Sequence, residues 1–251
     1  MGAALLESNT RGLAPPNAAG GELSGFPSPR PAAAALQIRA ELEARFEAPL
    51  DFRKRPAAGL LTPGIEALDR LPAGGFPRGS LSEICGPDSS GRTALSISLL
   101  GEATRAGEFC AWIDAAGAFD PASAAEAGTV LERLLWVDCR GNAEHALKSL
   151  DLLLQAGGFG LLVLDLADTP EREARRIPLA SWFRLRHAAE RTGAALVVLE
   201  KTINARSCSA IQLEMRQKSP VWVGKLLRGL ESKAESRKHY QVRTAEFWAE
   251  R

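Results

Sequence analysis

The sequence predicts an α/β fold, a mainly parallel central sheet flanked by helices, with an additional helix before it and a β-ribbon after it. Three observations carry this. Short apolar runs alternate with helix-length amphipathic runs through most of the chain. One run, "GLLVLDL" from Gly160 to Leu166, is continuously apolar, as a strand buried on both faces must be. Several helical runs close on glycine, which ends a helix cheaply by adopting a left-handed conformation.

The elements follow in order. Residues 1–31 are rich in Gly, Ala, Pro and Ser and poor in large apolar groups, and read as a leader that buries too little to order itself. A unit over 32–56 carries a helix with Ala35, Ile38, Leu42 and Phe46 on one stripe and Arg39 and Glu43 as an i,i+4 pair. That stripe serves equally to pack on its own core or to dock on a neighbouring subunit. The core is expected over 57–251. There, "LSEICG" is a strand ending in a turn, the run from Thr93 to Gly107 a helix burying Leu95 and Leu99, and "FCAWID" a second strand. "ERLLWVDC" is a third, after which Asn142 caps a helix ending at Gly157. The strand at Gly160, a helix from Leu179 to Gly193 and the strand "AALVVLE" complete the alternation. From Val221 onward the pattern reads as β-ribbon.

With 251 residues, 45% of them hydrophobic, the chain supports one sizeable core. A net charge of +1 gives no global field toward nucleic acid or membrane, so any electrostatic footprint must be local. Cys85, Cys110, Cys139 and Cys208 have no ligand spacing and read as reduced thiols of a cytoplasmic protein, with Cys208 the one placed in a loop. No run reaches membrane-spanning length and no signal-peptide pattern opens the chain, so no membrane partner is expected. His145 and His187 lack a partner at catalytic spacing.

The candidate chemistry lies at Gly86-Pro87-Asp88-Ser89-Ser90-Gly91-Arg92-Thr93, between a strand and a helix. In that context backbone N–H groups and the helix N-terminus receive phosphate oxygens, so a phosphate-bearing nucleotide is the expected ligand. The Thr93 hydroxyl and Asp165, at the end of a second strand, are placed to hold Mg²⁺. Arg92 stands where such loops carry lysine. A planar guanidinium is not equivalent to a compact ammonium, so transition-state geometry should suffer even if nucleotide binds.

These residues, with the approach Thr62-Pro63-Gly64, Leu68-Asp69 and Gly74-Gly75-Phe76-Pro77-Arg78-Gly79, resemble the RecA recombinase core, from about Ala34 to Phe247. The resemblance implies a RecA-like P-loop fold and also marks departures. Where the family has Asp-Ala-Glu, whose glutamate activates water, this chain has Asp114-Ala115-Ala116. Asp120 matches the aspartate that meets the nucleotide base, but Ser123 replaces the stacking tyrosine. Glu200-Lys201 replaces the Asn-Gln pair that senses the γ-phosphate. The two DNA-binding loops are short, around Asp168 to Pro178 and Thr202 to Ala210, and the large C-terminal lobe has no counterpart.

A RecA-like core with eroded catalytic residues and trimmed loops is similar to the ImuA group, accessory proteins of damage-induced translesion synthesis. The segment from Phe183 to Leu199 is especially similar. This likeness implies translesion polymerase components, single-stranded or primer-template DNA and further copies of the chain as partners, with ATP hydrolysis weak or absent. Lys225, Arg228, Lys233, Arg237, Lys238 and Arg243 form a local basic excess, the candidate DNA contact, with Trp222 or Tyr240 for stacking. A second basic group, Arg172, Arg175, Arg176, Arg184 and Arg186 around Trp182 and Phe183, reads as the solvated face of a helix whose aromatic side is core. Two alternatives stand: an active DNA-stimulated ATPase with Glu200 or Asp114 as base, and a regulatory protein such as a cell-division inhibitor.

Overall fold

A computed structural model describes residues 31–46, 59–70, 74–237 and 243–250. Most of the 1–31 leader, residues 47–58, Lys238 and Tyr240 lie outside them, as does the side chain of Arg243. The elements are α1 (Pro31–Phe46), β1 (Leu60–Leu61), α2 (Glu66–Asp69), β2 (Phe76–Pro77), β3 (Ser80–Cys85), α3 (Arg92–Arg105), β4 (Phe109–Asp114) and α4 (Pro121–Glu126). These are followed by β5 (Leu134–Asp138), α5 (Ala143–Ala156), β6 (Phe159–Asp165), α6 (Glu171–Ala174), α7 (Leu179–Thr192), β7 (Ala195–Glu200), β8 (Ser209–Val223), β9 (Leu226–Ser236) and β10 (Arg243–Glu250).

Eight strands form one sheet in the order β10-β9-β8-β3-β7-β6-β4-β5, and β1 pairs with β2 apart from it. The pairings from β8 through β5 are parallel, whereas β8-β9 and β9-β10 are antiparallel. The predicted architecture is therefore observed. The period of two along β6 explains the layers: Leu162 and Leu164 face the core shared with α5 and α7, while Leu161 and Val163 face the one shared with α3. Asn142 caps α5, its Oδ1 accepting from the His145 N–H at 2.9 Å, as its position implied.

The packing refines three local readings. The ribbon begins at Ser209 rather than Val221, because Ile211, Leu213 and Met215 alternate into the core before β8 runs out beyond it. Cys208 is buried, since the segment after β7 folds back onto β3; all four cysteines are buried and none forms a disulfide, and burial pushes the Cys85 thiol up to about 12. The stripe of α1 is spent within the chain: Leu42 is buried in the α5 and α7 core, and the Phe46 ring lies 4.6 Å from that of Phe109.

Candidate functional site

The parallel strands end at one edge, where open α/β sheets place their ligand sites. Register brings Cys85 beside Glu200, and Asp165 beside Asp114, so the turn after β3 shares an edge with the ends of β7, β6 and β4. Residues 86–91 are a tight loop. Gly86 and Gly91 have φ of 157° and 89°, and Ser89 is left-handed at 60°. A Cβ on Gly86 would collide with the Met215 carbonyl, and one on Gly91 would come within 2.6 Å of Ser232 Oγ. The ribbon therefore braces the back of the loop, a contact with no local sequence signal. The first N–H groups of α3 have no intrahelical acceptors, and Thr93 is exposed in that turn, so the backbone fits an anion and the hydroxyl fits a Mg²⁺ ligand.

Arg92 does not project outward. It is only 6% exposed, and its Nη1 donates to the carbonyls of Gly86 and, at 3.3 Å, of Glu200, while Nη2 lies 3.3 Å from Asp88 Oδ1. Asp88 in turn receives Lys201 Nζ at 3.2 Å. Lys201 holds Asp88 below the usual carboxylate range by hydrogen bonding and charge, with Arg92 adding to the effect.

The remaining carboxylates divide by environment. Asp165 is buried, and burial pushes its pKa to about 6, with Asp114 and Asp168 raising it further and the Ala167 N–H and Arg92 opposing. A cation beside it would draw that value back down. Asp114 is committed to backbone: Oδ1 accepts from Ala116 at 3.1 Å and Gly117 at 2.7 Å, and Oδ2 from Phe119 at 2.8 Å. Burial pushes Glu200 well above the ordinary range; its Oε2 accepts from Asn204 Nδ2 at 2.6 Å and its Oε1 is buried without a partner. Neither is a free base. Asp120 N-caps α4, accepting from the N–H groups of Ala122 and Ser123 at 3.2 Å and from Ser123 Oγ at 2.5 Å. Ser123, read as a lost stacking group, is thus part of that cap.

Glu83 escaped the sequence reading. Fully buried on β3, its Oε1 accepts from the N–H groups of Asn204 at 2.8 Å and Ala205 at 2.7 Å, and its Oε2 from Ser209 Oγ at 2.7 Å and Gln212 Nε2 at 3.1 Å. Thr202 Oγ1 also donates to Glu171 at 3.2 Å. Both shortened loops are tied down. A charged residue in a predicted strand was the available signal.

On the ribbon, Lys233 pairs with Glu235 at 2.8 Å and Arg237 with Glu214, and Lys218 bridges Glu231 at 3.1 Å and Glu246 at 2.6 Å. Among the described residues, Lys225 and Arg228 have no ion pair. They flank the β8-β9 turn, where Trp222, Val223 and Leu226 are 57%, 61% and 72% exposed. In the second basic group, Arg175 pairs with Glu171 at 2.5 Å and Arg184 with Asp151 at 3.5 Å. Trp182 is core as expected, whereas Phe183 is exposed. No group of three or more potential metal ligands of the His, Cys, Asp or Glu type occurs among the described residues, so a metal here would rest on Thr93, Asp165 and its ligand's own oxygens. No helix among the described residues is long and apolar enough to cross a membrane.

The sequence profile of the RecA N-terminal domain family matches residues 53–222. The chain is similar to Protein RecA of Corynebacterium efficiens, 39% identical over 127 residues that cover 49% of this chain and 33% of that one. With Protein RecA of Haemophilus ducreyi it shares 35% identity over 164 residues, 64% of this chain and 43% of the other. The chain thus spans less than half the length of these relatives.

Proposed function

Because the chain belongs to the RecA N-terminal domain family, we propose that it is a RecA-like accessory factor of DNA repair that binds ATP with Mg²⁺ and hydrolyses it slowly or not at all. Its role is to support SOS-type translesion synthesis by contacting polymerase components and single-stranded or primer-template DNA. One observation supports the reading: residues 86–91 form a tight loop ahead of α3, with Gly91 and Ser89 left-handed, while neither of the candidate bases Asp114 and Glu200 is free. Ala116 stands at the position that the resemblance assigns to the water-activating residue, Asp114 is consumed by three backbone N–H groups, and Glu200 is buried, with its carboxyl raised well above its ordinary range and Oε2 taken by Asn204.

Gly86, Pro87, Asp88, Ser89, Ser90, Gly91, Arg92 and Thr93 would surround the phosphates, Thr93 and Asp165 the metal, and Asp120 the base. Bound Mg²⁺ would supply neutralisation of phosphate charge. On this chain's side, the loop N–H groups would orient the phosphate oxygens and the Asp165 carboxylate, ionised above about pH 6, would carry negative charge toward the cation. Among the described side chains of the basic ribbon set, ion pairing leaves Lys225 and Arg228 available for DNA contact, beside Trp222.

The test is a nucleotide titration with and without Mg²⁺, followed by phosphate release with and without single-stranded DNA. Mg²⁺-dependent binding without turnover is the expected result. Turnover stimulated by DNA would replace this reading with that of an active ATPase.

A further inference from the structure

The opening of the phosphate loop already contains an anion held by two cations. Arg92 reaches Asp88 from the first turn of α3 at 3.3 Å, and Lys201 reaches it from the end of β7 at 3.2 Å, across 113 residues of sequence. Arg92 is nearly fully buried and anchored on the Gly86 and Glu200 carbonyls, so it is not free to swing toward solvent. Asp88 and Lys201 are exposed enough to move apart. Ser90 Oγ, in the same loop, is buried without a partner.

An incoming phosphate carries the charge that Asp88 supplies and needs the same donors. The two anions cannot share the pair without repulsion. We infer that Asp88 is an intramolecular competitor for the phosphate site and that its displacement frees Lys201 as a second phosphate-binding cation, so that the loop selects oligophosphates over monophosphates. The selection follows from charge and reach. A single phosphate group replaces one carboxylate and gains little, whereas a chain of phosphates occupies the loop and still presents oxygens to Lys201. This rests on the reading of residues 86–93 as a nucleotide site, and goes beyond it by giving Asp88 and Lys201 opposed roles.

The experiment is calorimetric titration of the full chain with inorganic triphosphate, ATP and AMP in Mg²⁺ buffer, for the wild type, Asp88→Asn, Lys201→Gln and the double variant. Asp88→Asn is expected to bind triphosphate, ATP and AMP each about three- to tenfold more tightly, since all displace the same exposed carboxylate, whereas in that background Lys201→Gln should weaken triphosphate and ATP and leave AMP little changed. In the Asp88→Asn background, Lys201→Gln should weaken ATP more than it does in the wild type, because there it removes a cation without also relieving a competitor. Asp88 is exposed, so an unchanged thermal midpoint will confirm that the variant folds. If the wild type binds ATP and Asp88→Asn binds it equally or more weakly, the competitor role is overturned and the nucleotide site stands. If neither chain binds any phosphate, both fall.

Discussion

Arg92 shows how one side chain changes what a loop does. Its guanidinium satisfies the carbonyls of Gly86 and Glu200 from inside the loop, so it acts as a structural brace. Arg92→Ala should cost about 1–3 kcal/mol in urea denaturation, since it orphans buried acceptors. Arg92→Lys should cost less, because an ammonium still reaches a carbonyl. Asp165 gives a pH signature. Its carboxyl is neutral in the fold up to about pH 6, against an ordinary value of 3.8. A raised folded pKa contributes stability that is complete below 3.8 and is lost as the pH rises through 6. Without nucleotide or metal, Asp165→Asn should therefore match the wild type near pH 4 and exceed it increasingly up to about pH 6. Above that the gain should hold steady at about 3 kcal/mol. Thermal midpoints at half-unit intervals would show this, and a difference independent of pH would refute it.

At the scale of elements, the loop after β7 is held by Glu83 through four donors, two of them backbone. Glu83→Gln retains an acceptor for the two N–H groups but turns an amide donor toward the Gln212 amide. We expect a loss of about 1–3 kcal/mol and faster hydrogen exchange at residues 204 and 205. In α1, Leu42→Ala should cost about 2–3 kcal/mol, since Leu42 is buried against the core. These elements also show what the sequence made legible. The loop at Gly86, the Asn142 cap and the continuous apolar run of β6 are local patterns and were readable as such. Glu83 was not, because its partners lie 121 or more residues away and only the β3-β8 pairing joins them. The stripe on α1 predicted burial but not against what, since own core and neighbour demand the same residues. The start of β8 was hidden because Ile211, Leu213 and Met215 alternate directly after a loop and before the polar run Arg216–Lys218.

For the molecule as a whole, charge is balanced in sum and uneven in place. The net charge of +1 is too small to draw DNA by long-range attraction, so binding must come from cations not already neutralised by the chain. Composition marked six basic residues on the ribbon; the fold removes Lys233 and Arg237 from that set by pairing them with Glu235 and Glu214. The pairing was invisible in sequence because it depends on which strands face each other. Lys225 and Arg228 remain at the turn, beside an exposed Trp222 whose ring offers a stacking surface. Binding to single-stranded DNA should therefore depend on the turn and not on the body of the ribbon. Replacing Lys225 and Arg228 together by glutamine should lower affinity at low salt and flatten the slope of log K against log salt by about 1.4, two phosphate contacts at ~0.7 each. Trp222→Ala should lower affinity and leave that slope unchanged, because stacking releases no counterions. Lys233→Gln should leave the slope unchanged, since Lys233 is engaged by Glu235 and makes no phosphate contact. A titration of fluorescent oligonucleotide at four salt concentrations separates these outcomes. Equal slopes for the double variant and the wild type would place the DNA surface elsewhere, with the exposed Arg172 and Arg176 at α6 the next to be replaced.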